Sequence, residues 1–202
     1  MVKVPVENKK KKQTIYLSID VETDGPIPGA YSMLSFGVAA FNSAGRVVDT
    51  FEANLGLLPD AKQNPDTMAW WYKDKKQTAL YVKTRENIKS PTQAMKEYVL
   101  WQEGIMKKHN ARLCYMGYPI VFDQMFVYWY AMYFAGEDHA GFNGIDIKTY
   151  ASAALQRPYK KTYKKTMPRR WFSDRPHTHI AIDDALEQGE LGINIMKELK
   201  VL

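Results

Sequence analysis

The chain of 202 residues has a single cysteine, Cys114. That excludes a disulfide framework and a cysteine-built zinc site, and it fits a reducing compartment such as the cytoplasm. No apolar run approaches the roughly 20 residues that a membrane span needs. The N-terminus is charged but has no apolar stretch behind it, so a secretory leader is not expected there. No internal repeat is visible and no linker splits the chain. Apolar residues make up 46% of it, enough for one sizeable α/β domain, expected over 14–202. Residues 1–13 read as a flexible basic tail.

The formal net charge of +6 is unevenly placed. Residues 1–12 carry five lysines against Glu7, and residues 157–175 carry eight Lys/Arg against Asp174, leaving a mildly acidic body. Concentrated basic segments on an acidic body point to a polyanionic partner. In the second segment Lys160, Lys161, Lys164 and Lys165 alternate with Tyr159 and Tyr163, and Trp171 follows. Cations interleaved with aromatics suit phosphate contacts plus base stacking.

Periodicity and punctuation outline the elements. Ile15, Tyr16, Leu17 and Ile19 form a β-prone run that Gly25-Pro26 stops, giving a strand over 14–20. Strands are expected over 32–41 and 46–55, and the short Asn42-Ser43-Ala44-Gly45 turn makes that pair antiparallel. Asp66 is expected to cap a helix through 67–72. Neighbouring Trp70 and Trp71 cannot both face the core of a helix, and core packing is assigned to Trp70. Ser90-Pro91 opens a helix over 91–109. Shorter strands at 112–116 and 144–147 alternate with helices over 122–134 and 148–155. The segment 157–175 reads as a loop before a last helix over 182–199. A mixed sheet with helices on both faces follows, with strand two the antiparallel member.

Three places carry chemistry. Asp20 and Glu22 are two apart on a strand and so share a face. Paired carboxylates at the mouth of a core repel each other and suit a hard divalent cation. Asp123 sits in an otherwise apolar helix start, where the helix dipole alone would explain it. His179 and Asp184 lie five apart across a loop-to-helix junction. Each is ordinary by itself.

Taken in order, Asp20-x-Glu22-Thr23-x-Gly25, then Phe122-Asp123, then His179-x-Ala181-x-x-Asp184, the set resembles the DEDDh (DnaQ-like) 3′→5′ exonuclease family of the ribonuclease H-like fold. Strand two, Met33-Leu34-Ser35-Phe36-Gly37-Val38, and Asp146-Ile147-Lys148-Thr149 are similar to the family's corresponding segments. The likeness spans about 14–199. It departs at Tyr118-Pro119, where many members have His-Asn. The resemblance implies a five-stranded ribonuclease H-like sheet and hydrolysis of single-stranded DNA or RNA from the 3′ end, releasing nucleoside monophosphates. It also implies two Mg²⁺ or Mn²⁺ ions about 3.5–4 Å apart. Asp20 would bridge them, Glu22 and Asp184 would complete one site, Asp123 would act beside bound waters, and His179 would be general base. Thr23 and, as an apolar wedge, Met33 or Leu34 are implied contacts to the terminal nucleotide. The Trp/Tyr-rich helices would allow a homodimer. Two other readings are a non-catalytic nucleic-acid-binding module and a proofreading subunit bound to a polymerase.

Overall fold

The computed structural model describes residues 12–202, so most of the expected N-terminal tail lies outside the described residues. Three strands, β1 (Gln13–Thr23), β2 (Met33–Phe41) and β3 (Val47–Asn54), are followed by helices α1 (Pro65–Trp71), α2 (Lys75–Lys83) and α3 (Pro91–His109). Then come β4 (Ala111–Gly117), α4 (Ile120–Phe134), β5 (Gly144–Asp146), α5 (Ile147–Ala154) and, after three 3-10 turns, α6 (Ala181–Glu198). The sheet order is β3-β2-β1-β4-β5, with β2 antiparallel to both neighbours and β1, β4 and β5 mutually parallel. This is the mixed five-stranded sheet expected.

Alternation along β1 splits the interior into two layers. Ile15, Leu17, Ile19 and Val21 pack with α3 and α4 on one face. Tyr16 faces α5 and α6 with Phe41, Met116 and Leu191. β2 is buried at every position because both of its faces are covered. Met33 and Leu34, expected as a wedge at the nucleotide, are therefore core residues; both are fully buried, and the Met33 amide donates to the Tyr130 hydroxyl at 2.7 Å.

Local chemistry starts the helices. Asn64, not Asp66, caps α1, accepting from the Thr67 amide at 3.0 Å, with Pro65 in the first turn. Asp74 caps α2 through Gln77 N–H at 2.8 Å. This nine-residue helix is not foreseen from the sequence because its polar, lysine-rich stretch has little apolar periodicity. Ser90 caps α3 as expected. The tryptophan assignment reverses. Trp71 is buried and its indole N–H donates to the Thr23 carbonyl at 2.9 Å, whereas Trp70 lies half-buried at the surface of a small cluster. Trp171 is likewise core rather than a stacking surface, tied by its indole to Glu198 at 2.6 Å.

Two glycines let α6 lie close across the sheet. A Cβ on Gly37 would come within 2.3 Å of the Ile182 backbone nitrogen, and one on Gly189 within 2.3 Å of the Phe41 ring. Gly37 pairs directly with Asp20, so the space it leaves sets how near α6 comes to the first carboxylate. Gln188 then pins the helix, donating to the buried Ile19 carbonyl at 2.6 Å.

Gly37→Ala should destabilise the fold by about 2 kcal/mol or more, because the clash is with backbone. Gly104→Ala in α3, where an added Cβ meets nothing within 4 Å, should stabilise it by about 1 kcal/mol. Denaturant midpoints of both variants check the pair.

Candidate active site

The end of β1, the first turn of α4 and the start of α6 meet in one open cleft of about 430 Å³. Asp20 and Glu22 enter it from the strand, Asp123 from α4, and His179 and Asp184 from the last junction. All five sequence-predicted catalytic positions are thus brought together from separations of up to 164 residues, Asp20 to Asp184. Single oxygens of Asp20, Glu22 and Asp184 lie within 4.8 Å of one another. Asp123 is held against the strand by the Val21 amide, which donates to its Oδ1 at 3.2 Å.

Distant residues set these positions. The first turn of α4 has no side-chain cap of its own, since its N-cap residue is Pro119, whose ring offers no acceptor. Asp146 supplies one from β5: its Oδ2 accepts from Ile120 N–H at 3.1 Å while its Oδ1 caps α5 through Thr149 N–H at 2.6 Å. The α6 side is organised by Asp184 itself. Its Oδ1 accepts the Thr178 amide at 2.7 Å and its Oδ2 the His179 amide at 2.9 Å, with His177 Nδ1 a further 3.1 Å away. These bonds hold His179 at φ +60°, a left-handed backbone that costs a non-glycine residue about 1 kcal/mol or more. The His179 ring rests edge-on against Trp70, centroids 5.2 Å apart.

The electrostatics are those of crowded acids. Burial, then the carboxylates of Asp123, Glu22 and Asp184, push Asp20 well above the usual carboxylate range, against a pull from Lys164. Burial, then Asp184 and Asp123, raise Glu22 likewise. Burial takes Asp123 up to about 8 despite the Val21 hydrogen bond. Asp184 goes the other way. Burial would raise it, but the bonds from His177, Thr178 and His179 together outweigh that and hold it low. His179 is lowered by burial and then by His177, with Asp184 opposing, so its imidazole is neutral near pH 7. An all-oxygen set of mutually repelling carboxylates is relieved by protonation or by a hard divalent cation, which it fits.

Beyond the expected positions, Val21, Tyr118, Pro119, Phe122 and His177 also line the cleft. Phe122 precedes Asp123 in the same first turn, and His177 stands two residues before His179, so adjacency was the available signal. Thr23 does not line the cleft; it is buried and its carbonyl is taken by Trp71. The basic segment divides by side-chain type. Arg169, Arg170 and Arg175 are paired with Asp174, Glu198 and Glu190. Lys164 pairs with the buried Glu187 of α6 and lies 5.4 Å from the Tyr118 ring centre. Tyr159 and Tyr163 both carry the Lys148 ammonium, at 4.2 and 5.2 Å. Among the described residues Lys160, Lys161 and Lys165 enter no ion pair, and all three are exposed.

A family described as the 3′-5′ exoribonuclease Rv2179c-like domain matches residues 15–196. The 3′-5′ DNA exonuclease Cap18 of Escherichia coli is 25% identical over 180 residues, covering 88% of this chain and 89% of that protein. Among solved structures, the nuclease domain of 3′hExo, a DEDDh family member bound to rAMP, superposes with a TM-score of 0.61 at 13% identity over 96% of each chain. An E. coli exonuclease I–single-stranded DNA complex gives 0.58 at 15% identity over 94% of this chain and 41% of that one.

Raised carboxylates predict an unusual pH response in chelator. A group with a folded pKa above its unfolded one contributes stability that is complete below the unfolded value and is lost as pH rises through the folded one. Between about pH 4, where a free aspartate titrates, and about 8, metal-free protein should therefore lose stability. Denaturant midpoints measured across that window should fall with pH in the wild type and fall less in Asp123→Asn.

Proposed function

The chain belongs to the 3′-5′ exoribonuclease Rv2179c-like domain family and is a 3′-5′ exonuclease; on that premise we propose that it shortens single-stranded nucleic acid from the 3′ end, releasing nucleoside monophosphates with the help of two divalent cations, Mg²⁺ or Mn²⁺. One observation carries this reading: four carboxylates and one neutral histidine, from three separated elements, open on a single cleft. Asp20, Glu22, Asp123 and Asp184 would hold the cations, with Asp20 central because it neighbours the other three. Bound there, divalent cations supply positive charge that neutralises the scissile phosphate and makes a water acidic enough to attack.

The chain's own residues do the rest. His179, neutral and beside the carboxylates, is the general base that takes the proton of the attacking water. The Asp184 hydrogen bonds to the 178–179 backbone fix where that imidazole stands. Phe122, about one-third exposed at the cleft wall, offers a ring face to the terminal base. Lys164 is close enough to Asp20 to oppose its raised pKa, and it places a cation where the incoming phosphate needs one. The unpaired Lys160, Lys161 and Lys165 then continue the phosphate track away from the cleft.

Relatives differ in the substrate their names state: RNA for the family, DNA for Cap18. Matched 5′-labelled DNA and RNA oligonucleotides are therefore digested side by side with Mg²⁺ or Mn²⁺. Stepwise loss from the 3′ end is expected on at least one of them. Asp20→Ala should abolish it and His179→Ala should slow it by about 10²- to 10⁴-fold. Equal shortening by wild type and Asp20→Ala would refute the reading. A binding-only module would give no shortening, with salt-sensitive binding that survives Asp20→Ala.

The lysine track has its own signature. Lys160→Ala, Lys161→Ala and Lys165→Ala should each weaken binding to single strands regardless of sequence. Each should also reduce the slope of log K against log salt by about 0.7 for every phosphate that is no longer neutralised. Binding titrations at several salt concentrations measure it, with Arg170→Ala, whose guanidinium is engaged by Glu198, leaving the slope unchanged.

A further inference from the structure

His177 has no part in the chemistry above, yet it faces it. Its Nδ1 is 3.1 Å from Asp184 Oδ2, its side chain is half exposed at the cleft mouth, and its ring centre is 4.5 Å from that of His179. One ligand atom from each of His177, His179 and Asp184 lies within 4.8 Å of the other two. This trio differs in kind from the carboxylate set. Two imidazole nitrogens and one carboxylate oxygen suit Zn²⁺, whereas Mg²⁺ prefers oxygen alone. Bonds of about 2.0–2.1 Å at a tetrahedral angle put neighbouring ligand atoms about 3.3 Å apart. His177 Nδ1 and Asp184 Oδ2 already stand near that spacing. Asp184 is also held in orientation by two backbone amides, so only the imidazoles have to turn.

We infer that His177, His179 and Asp184 form a transition-metal site that takes Zn²⁺ and, by doing so, silences the exonuclease. The inhibitory part rests on the proposed roles of His179 and Asp184. With the His177 proton on Nε2, the Nδ1 lone pair is free for zinc, which takes the place of the direct contact between Nδ1 and Asp184 Oδ2. It engages a ring nitrogen of His179, which then has no lone pair free for a water proton. It also competes for the carboxylate that Asp184 presents toward Asp20 and Glu22.

Co²⁺ is the spectroscopic probe for this site. The full chain, stripped with chelator and dialysed, is titrated with Co²⁺ alone. Four-coordinate Co²⁺ with nitrogen ligands absorbs visible light strongly, and six-coordinate Co²⁺ among oxygens only faintly. Wild type and Asp20→Ala should develop the strong band and lose it to one equivalent of Zn²⁺. His177→Ala and His177→Gln should bind at least about tenfold more weakly. In Mg²⁺-supported digestion, with each protein normalised to its own zinc-free rate, the half-inhibiting Zn²⁺ concentration should rise about tenfold or more in His177→Ala. A band absent from wild type, or unchanged in both His177 variants, overturns the site. Equal zinc sensitivity of wild type and His177→Ala overturns its inhibitory role. The Co²⁺ readout needs no turnover, so a protein that shows the band but digests no oligonucleotide supports the site and contradicts the exonuclease reading alone.

Discussion

Four carboxylates that repel one another are held at the end of β1 by packing that owes nothing to their charge. α6 can descend onto the sheet because Gly37 and Gly189 leave no side chain in its path. Gln188 locks it there through the Ile19 carbonyl, one residue from Asp20. On the other face, Asp146 fixes the first turn of α4 and so the height of Asp123. Trp71 ties down the strand just beyond Glu22 by its bond to Thr23. The repulsion is thus built in by the fold, and it makes the cleft a place where a cation gains more than it would at the surface.

Asp184 occupies a double position in that arrangement. Its two oxygens organise the turn that presents His179, while the same carboxylate faces Asp20 and Glu22. This explains why it alone among the four acids is held low rather than raised. It also couples the base to the metal-binding side of the cleft: whatever draws on Asp184 is felt in the 178–180 backbone. The Lys164–Glu187 pair adds a second tie between the basic segment and α6, one helical turn beyond Asp184. The segment's arginines anchor it while Lys160, Lys161 and Lys165 stay exposed, so it serves as both strut and charged surface.

Much of this was legible from sequence, for identifiable reasons. A mixed sheet with strand two antiparallel followed from apolar runs and one short turn, and the five cleft positions from the family resemblance that their order and spacing carry. What stayed hidden depends on contacts between distant residues. Core packing fell to Trp70 instead of Trp71, because a seven-residue helix does not declare its inner face until Thr23 is seen beneath it. The wedge reading of Met33 and Leu34 comes from the family resemblance alone, and burial on both faces of β2 makes them core. α2 has a cap at Asp74 and almost no apolar stripe, so only its docked position reveals it. His177 carries no signal of its own in the sequence, and its approach to Asp184 exists only in three dimensions.

If these carboxylates hold divalent cations for phosphodiester hydrolysis, as proposed, the ions belong among Asp20, Glu22, Asp123 and Asp184. Crystals grown with Mn²⁺ and a short hydrolysis-resistant oligonucleotide test it most directly, because manganese is located by its anomalous scattering. Two peaks are expected in the cleft, both bonded to Asp20, with the 3′-terminal phosphate against them and the His179 ring on its water-facing side. An oligonucleotide bound along Lys160, Lys161 and Lys165 with no manganese among Asp20, Glu22, Asp123 and Asp184 would contradict it.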